Sequence, residues 1–206
     1  MKTIIFDFGN VVAFFDHQRA IARLAPFTDL PPTELTLELY GGAIEDQYER
    51  HAIPTEEYVR LAKLNGRLTC TDDEFLAAFQ DIFWRNDAVC RLIPQLAKRY
   101  RLLLASNTTD AHFHKFTEQF ADVLTPHFAE LCTSHKGRCR KPDAEFYAYC
   151  QGFANAEPGE CVFVDDLAVN VEAARRHGWY GIVYRPTDDL AAKLREAGVQ
   201  MDDGNS

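Results

Sequence analysis

The sequence predicts an α/β fold, a doubly wound parallel sheet carrying an inserted helical subdomain, and three observations lead there. Short runs of Ile, Val, Leu and Phe end in a polar residue at "TIIFD", "RLLLAS" and "CVFVD". Helical periodicity separates the later runs, and one long stretch after the first run is helical in pattern with no convincing strand. Apolar runs without polar alternation suit strands buried on both faces, as in a parallel sheet. Strands that alternate with helices need crossovers, which cover the sheet on both sides.

Taken in order, "KTIIF" (2–6) is the first strand. Residues 17 to about 86 read as helices at "HQRAIARLA", "PPTELTLELY", "PTEEYVRLAKLN" and "TDDEFLAAFQDIFW", punctuated by Pro31, Pro32, Gly41, Gly42 and Pro54. The chain therefore divides into a core of residues 1–15 and 87–206 and a helical cap of residues 16–86. A helical pattern over 87–99 precedes the strand "RLLLAS" (101–106), and others cover 111–120 and 144–153 before "CVFVD" (161–165). "LAVNVEAARRHG" (167–178) closes on a cationic last turn and Gly178, the usual helix stop, and "YGIVY" (180–184) is a further strand. The tail "MDDGNS" reads as frayed.

With 206 residues, 47% hydrophobic and 26% charged, the chain can bury one substantial core and a subdomain. Its net charge of -9 excludes a protein that tracks nucleic-acid phosphates or an anionic membrane, since both need clustered Lys and Arg. A small-molecule partner is expected, and the oligomeric state stays open. The leading run Thr3 to Phe6 is too short to target or span a membrane, so the cytoplasm is the expected compartment. Six cysteines form no CxxC pair, which favours reduced, buried thiols over a zinc site.

Four places carry chemical weight: Asp7 after the first strand, Ser106-Asn107 after the second, Lys141-Pro142 before a helix, and Asp165-Asp166 after a later strand. Alone, the aspartates read as caps, Ser106-Asn107 as a turn and Lys141-Pro142 as a solvated lysine before a helix. Together they converge, because the carboxyl ends of parallel strands share one edge and ligands sit in the crevice where strand order reverses. Asp16 precedes a helical pattern and is expected to be its N-cap.

The motifs "FDFGNVV", "LLLASNT", "RKPDAEFY" and "VFVDDLAVN" resemble, in this order and over nearly the whole chain, the phosphatases of the haloacid dehalogenase superfamily with a small helical cap. The Asp-x-Gly-Asn opening, "YERHAIPTEEY" and "ASNTTDAHF" resemble in particular the bacterial α-D-glucose-1-phosphate phosphatase type. The resemblance implies a Rossmann-like core, Mg²⁺ as cofactor and a small phosphorylated substrate, with a sugar phosphate indicated. Asp7 would attack phosphorus to give an aspartyl-phosphate, which splits one hard hydrolysis into two easier displacements. Ser106 and the amide of Asn107 would donate to phosphate oxygens, and Lys141 would add a point charge. Mg²⁺ takes one or two carboxylates plus phosphate oxygen, which suits Asp7 and Asp166. The resemblance adds the Gly9 backbone carbonyl as a ligand. Asp165 is either a second-sphere carboxylate or an alternative ligand, and Asn170 supports the loop or a metal-bound water.

Two departures stand out. The superfamily commonly has Gly three positions before the motif lysine, where this chain has Arg138, with Gly137 one earlier; Arg138 or Arg140 becomes a candidate to reach phosphate. More consequentially, Gly9 stands where most of these phosphatases carry the Asp that protonates the leaving group. General acid help is worth ~10²–10⁴-fold, so its loss favours acidic leaving groups such as an anomeric hydroxyl. Glu45 and Glu49 face the site or lie on a solvated helix face, with His112 and His114 equally unassigned, and Phe14, Phe15, Tyr48 and Trp84 read as packing. Two other functions stay open. One is a metal-independent 2-haloacid dehalogenase, against which the acidic pair Asp165-Asp166 argues; the other is a non-catalytic binding protein on the same scaffold.

Overall fold

The computed structural model describes residues 1–201, so the tail read as frayed lies, beyond Met201, outside the described residues. Its strands are β1 (Thr3–Phe6), β2 (Ala13–Phe15), β3 (Phe83–Arg85), β4 (Arg101–Ser106), β5 (Glu130–Thr133), β6 (Cys161–Asp165) and β7 (Tyr180–Val183). Helices α1 (His17–Leu24), α2 (Pro32–Tyr40), α3 (Ala43–Glu49), α4 (Thr55–Asn65) and α5 (Asp72–Gln80) fill the insertion. The rest follow it: α6 (Asp87–Leu96), α7 (Asp110–Gln119), α8 (Ala121–His127), α9 (Ser134–Gly137), α10 (Ala144–Ala154), α11 (Ala168–Arg176) and α12 (Leu190–Glu196).

The main sheet runs β5-β4-β1-β6-β7 and every pairing in it is parallel. Because side chains alternate along a strand, β1 feeds two cores. Ile4 and Phe6 join Leu102, Leu104, Val162 and Val164 beneath α6, α7, α8 and α12, whereas Ile5 joins Leu103 and Phe163 beneath α10 and α11. Helices on both faces make the sheet doubly wound, as the apolar runs require. The order reverses at β1: the chain moves outward through β4 and β5, then crosses to β6 and β7. That is the switch point at which a crevice opens.

The insertion has its own core, in which Tyr48, Tyr58, Phe75 and Phe79 are buried together and the Tyr48 and Tyr58 rings stack at 4.4 Å. Full burial of each such side chain contributes about 2–3 kcal/mol. Asp16 caps α1 by accepting from the Gln18 N–H at 2.9 Å, as its position predicts. All six cysteines are free thiols, and five of them are buried. Among the described residues no helix is long and apolar enough to cross a membrane.

Two elements depart from the sequence reading. Residues 17 to 86 do contain a strand: α5 stops at Gln80, and Phe83–Arg85 pairs antiparallel with Ala13–Phe15. Ile82, Phe83 and Trp84 are good strand formers, and the partner strand decides what periodicity alone leaves ambiguous. This ribbon joins core and insertion. The second departure is β5, whose half-polar "ELCT" gives little signal and is fixed by its register with Leu103 to Ser106.

Candidate active site

Three of the four motif segments leave or approach the sheet at its carboxyl edge. Asp7 follows β1, with its N–H on the Val164 carbonyl at 2.8 Å and its Oδ1 accepting from the Phe8 N–H at 2.7 Å. Asp165 ends β6, and Ser106 ends β4. Lys141 arrives from the loop before α10, and its Nζ lies 2.7 Å from Asp7 Oδ1 and 2.7 Å from Asp165 Oδ2. Its backbone is clamped by one side chain: Asn107 Nδ2 donates to the Lys141 carbonyl at 2.9 Å, and the Lys141 N–H donates to Asn107 Oδ1 at 2.8 Å.

The two adjacent aspartates are not equivalent. Asp165 is fully buried and accepts from Lys141 Nζ, the Leu167 N–H at 2.8 Å and Asn170 Nδ2 at 3.0 and 3.1 Å. Asn170 is itself fixed by the Tyr147 hydroxyl, which donates to its carbonyl at 2.8 Å. Asp166 is half-buried, and its Oδ2 accepts from Asn10 Nδ2 at 2.9 Å. Asn10 sits at φ 55°, a left-handed conformation that Asn tolerates better than most residues. Its contact with Asp166 spans most of the chain, so only the Gly-Asn turn pair hinted at it.

Asp7, Asp165 and Asp166 each offer an oxygen, and these atoms lie within 4.8 Å of one another. One ammonium stands against these three carboxyls, so ionising all of them at once would leave two negative charges uncompensated. Burial, outweighing the pull of Lys141, pushes Asp7 up to about 8, with Asp165 and Asp166 adding to the rise. Burial likewise raises Asp166 despite the Asn10 hydrogen bond. For Lys141 burial works the other way, yet Asp165 and Asp7 overcome it and hold the ammonium well above its usual value. Hard oxygen donors with excess negative charge are the donor set that fits Mg²⁺.

Two adjoining cavities open here. One of about 250 Å³ is lined by Asp7, Asn10, Arg140, Lys141, Asp166 and Asn170. The other, about 110 Å³ between core and insertion, is lined by His17, Glu45, Phe83, Ser106, Thr109 and His112, among others. Gly9, Phe15, Glu49 and Asn107 line both. Every site residue expected from the sequence is therefore in or beside this region, with one refinement. The Asn107 side chain is committed to the Lys141 backbone.

The other candidates separate cleanly. Arg138 takes φ 53° at the end of α9, a left-handed conformation, is exposed and lies outside both cavities. Arg140 lines the larger cavity, but its Nη1 lies 3.0 Å from Asp46 and 3.1 Å from Glu49 of α3. His112 is buried against Phe79, with its Nε2 2.9 Å from the Phe79 carbonyl, whereas His114 is exposed. Phe15, expected from the sequence to pack, does pack against His17 and Phe83. It also lines both cavities, and a Cβ on Gly9 would come 2.8 Å from its Cε1.

This architecture has known counterparts. A family model described as haloacid dehalogenase-like hydrolase matches residues 1–178. Flavin mononucleotide hydrolase 1 of Arabidopsis thaliana is 37% identical over 204 residues, covering 92% of this chain and 78% of that protein. The D-ribitol-5-phosphate phosphatase of Bacteroides thetaiotaomicron is 26% identical over 189 residues, covering 87% of this chain and 89% of that one. A haloacid dehalogenase family enzyme from Bacteroides thetaiotaomicron, solved in complex with magnesium and inorganic phosphate, shares the fold at a TM-score of 0.81 and 20% identity, covering 95% of this chain and 100% of that chain. With the matched segment running from before Asp7 to beyond Asn170, this chain belongs to the haloacid dehalogenase-like hydrolase family.

Proposed function

We propose that this hydrolase is a Mg²⁺-dependent phosphomonoesterase that acts on a small phosphorylated metabolite of the sugar-phosphate kind through an aspartyl-phosphate on Asp7. One observation carries the reading: three carboxylates gathered within 4.8 Å, with a buried lysine between two of them. Halide displacement from carbon needs no divalent cation, so such a cluster favours phosphate chemistry. Two relatives named for hydrolysing flavin mononucleotide and D-ribitol 5-phosphate support the same class.

Asp7, Asp166 and the Gly9 carbonyl would hold Mg²⁺, which when bound supplies positive charge to the carboxylates and to phosphate oxygens. Asp165, with donors on both oxygens, holds Lys141 and the Leu167 turn in place from behind. Asp7 attacks phosphorus in line with the leaving oxygen. Lys141, Ser106 and the Asn107 N–H hold the transferring group, and the Asn107 side chain keeps Lys141 aimed.

The test is a panel of metabolite phosphates read as released phosphate, with EDTA or with Mg²⁺. Turnover that needs Mg²⁺ and disappears in Asp7→Asn is expected. Activity that survives EDTA, or appreciable turnover by Asp7→Asn, overturns the reading.

A further inference from the structure

Gly9 leaves one chemical role without a holder, and Phe15 fills the space where a side chain would stand. The smaller cavity begins beside that ring and carries two carboxyl groups on its wall, Glu45 and Glu49. They stand at i and i+4 on α3 and so share one helix face. Glu49 reaches the larger cavity as well, alongside Asp7 and Lys141. We propose that Glu45 is the general acid and base of the reaction, with Glu49 as its charged neighbour, so that the proton donor missing at Gly9 is delivered from the inserted helices. This rests on the phosphomonoesterase reading above.

The two carboxyls have been given different environments, the arrangement that assigns acid and base roles. Burial raises Glu49 as well, but Arg140, with its Nη1 3.1 Å away, pulls it back down, whereas among the described residues Glu45 makes no ion pair. Burial, then the charge of Glu49, push Glu45 up to about 8, so it is protonated at neutral pH and close to the value a proton donor needs. The charged and titratable groups around it are Asp46 and Glu49 on its own helix, Arg140 before α10, Tyr40 of α2 and Tyr58 of α4. His17 and His112 line the same cavity, and burial lowers them to about 4 and about 3, so neither competes as a proton donor near neutrality.

In the first step Asp7 forms a bond to phosphorus as the bond from phosphorus to the leaving oxygen breaks. The electron pair stays on that oxygen, which takes the Glu45 proton and departs as an alcohol. In the second, water bonds to phosphorus while giving a proton to the Glu45 carboxylate. The bond from phosphorus to Asp7 breaks, its electron pair returns to the carboxylate, and inorganic phosphate leaves.

The experiment compares Glu45→Gln with wild type on p-nitrophenyl phosphate, whose phenolate leaves unprotonated, and on glycerol 3-phosphate, whose alkoxide does not. The expected result is a fall of about 10²-fold in the alkyl-to-aryl ratio of kcat/KM, at the low end of general acid catalysis, with partial recovery in Glu45→Asp. The alkaline decline of kcat/KM for the alkyl ester should be absent in Glu45→Gln. An unchanged ratio overturns the proposal, and so does an equal loss on both substrates. Asp7→Asn keeps the two failures apart: if it is inactive while the Glu45→Gln ratio is unchanged, the phosphomonoesterase reading stands and the Glu45 assignment falls.

Discussion

Gly9→Asp should be tolerated only when Phe15 is cut back. The backbone at Gly9 lies outside the left-handed region, so it does not itself demand glycine; the obstacle is a ring. An added Cβ would sit 2.8 Å from Phe15 Cε1 and 3.2 Å from Cδ1. That ring is packed near His17 at 5.1 Å and Phe83 at 6.3 Å, which limits its escape. Overpacking of this kind costs about 1–3 kcal/mol. Phe15→Ala alone removes a half-buried ring, for about half of the ~3–5 kcal/mol that a fully buried one is worth. In Gly9→Asp/Phe15→Ala the clash disappears, so the double variant should be more stable than the sum of the singles by roughly 1–3 kcal/mol. Urea unfolding of the four proteins measures that coupling, and turnover of glycerol 3-phosphate measures the chemistry. The double variant, placed in a Glu45→Gln background, should regain alkyl ester activity that Gly9→Asp alone does not. Additive stabilities, with a coupling below about 0.5 kcal/mol, would refute the claim that Phe15 occupies the space of the missing acid.

Two further outcomes test the surroundings of the site. Lys141→Met leaves Asp7 and Asp165 as buried carboxyls without their shared cation, which should lower unfolding stability by about 3–5 kcal/mol and abolish turnover; a urea midpoint equal to wild type would contradict it. His112 carries a pH signature, because burial lowers it to about 3 against an ordinary 6.5. The unfolded chain takes up the proton first, so this contribution is complete above about pH 6.5 and drains as pH falls toward 3, by about 2 kcal/mol between pH 6.5 and 5. His112→Gln, which keeps a donor for the Phe79 carbonyl, should flatten the slope of stability between pH 7.5 and 5, and an unchanged slope would count against a neutral His112.

The parts of this molecule that can be read from its sequence are those set by local pattern. Asp7, Ser106 and Asp165 are visible because each ends a short, β-branched or Leu-rich apolar run that suits a buried strand, and the sheet then fixes their common edge. Asp16 is visible as a cap because capping is decided within one turn. The ribbon of Ala13–Phe15 with Phe83–Arg85 is not, since each strand is too short to declare itself without the other. Nor is the grip of Asn10 on Asp166 or of Asn107 on Lys141, because these are contacts between distant segments. Glu45 and Glu49 show the limit most sharply: an i, i+4 acidic pair is the ordinary pattern of a solvated helix, and only the docked position of α3 turns it toward a cavity.

That docking follows from how α3 is held. Arg50 reaches Asp143 at 2.9 Å and Arg140 reaches Asp46 at 3.0 Å, yet their side chains are 31–47% exposed, where an ion pair contributes at most about 1 kcal/mol. The firmer anchor is Tyr48, fully buried, whose hydroxyl accepts from the Ala111 N–H at 3.1 Å and lies 2.9 Å from Thr55 Oγ1. Tyr48 therefore ties the helix that carries Glu45 to the start of α7, which directly follows the Ser106-Asn107 loop. An acid on Gly9 would move with the sheet; an acid on Glu45 is in place only while α3 is docked. On this geometry a proton donor borne by the insertion makes leaving-group protonation depend on how α3 is held against the core.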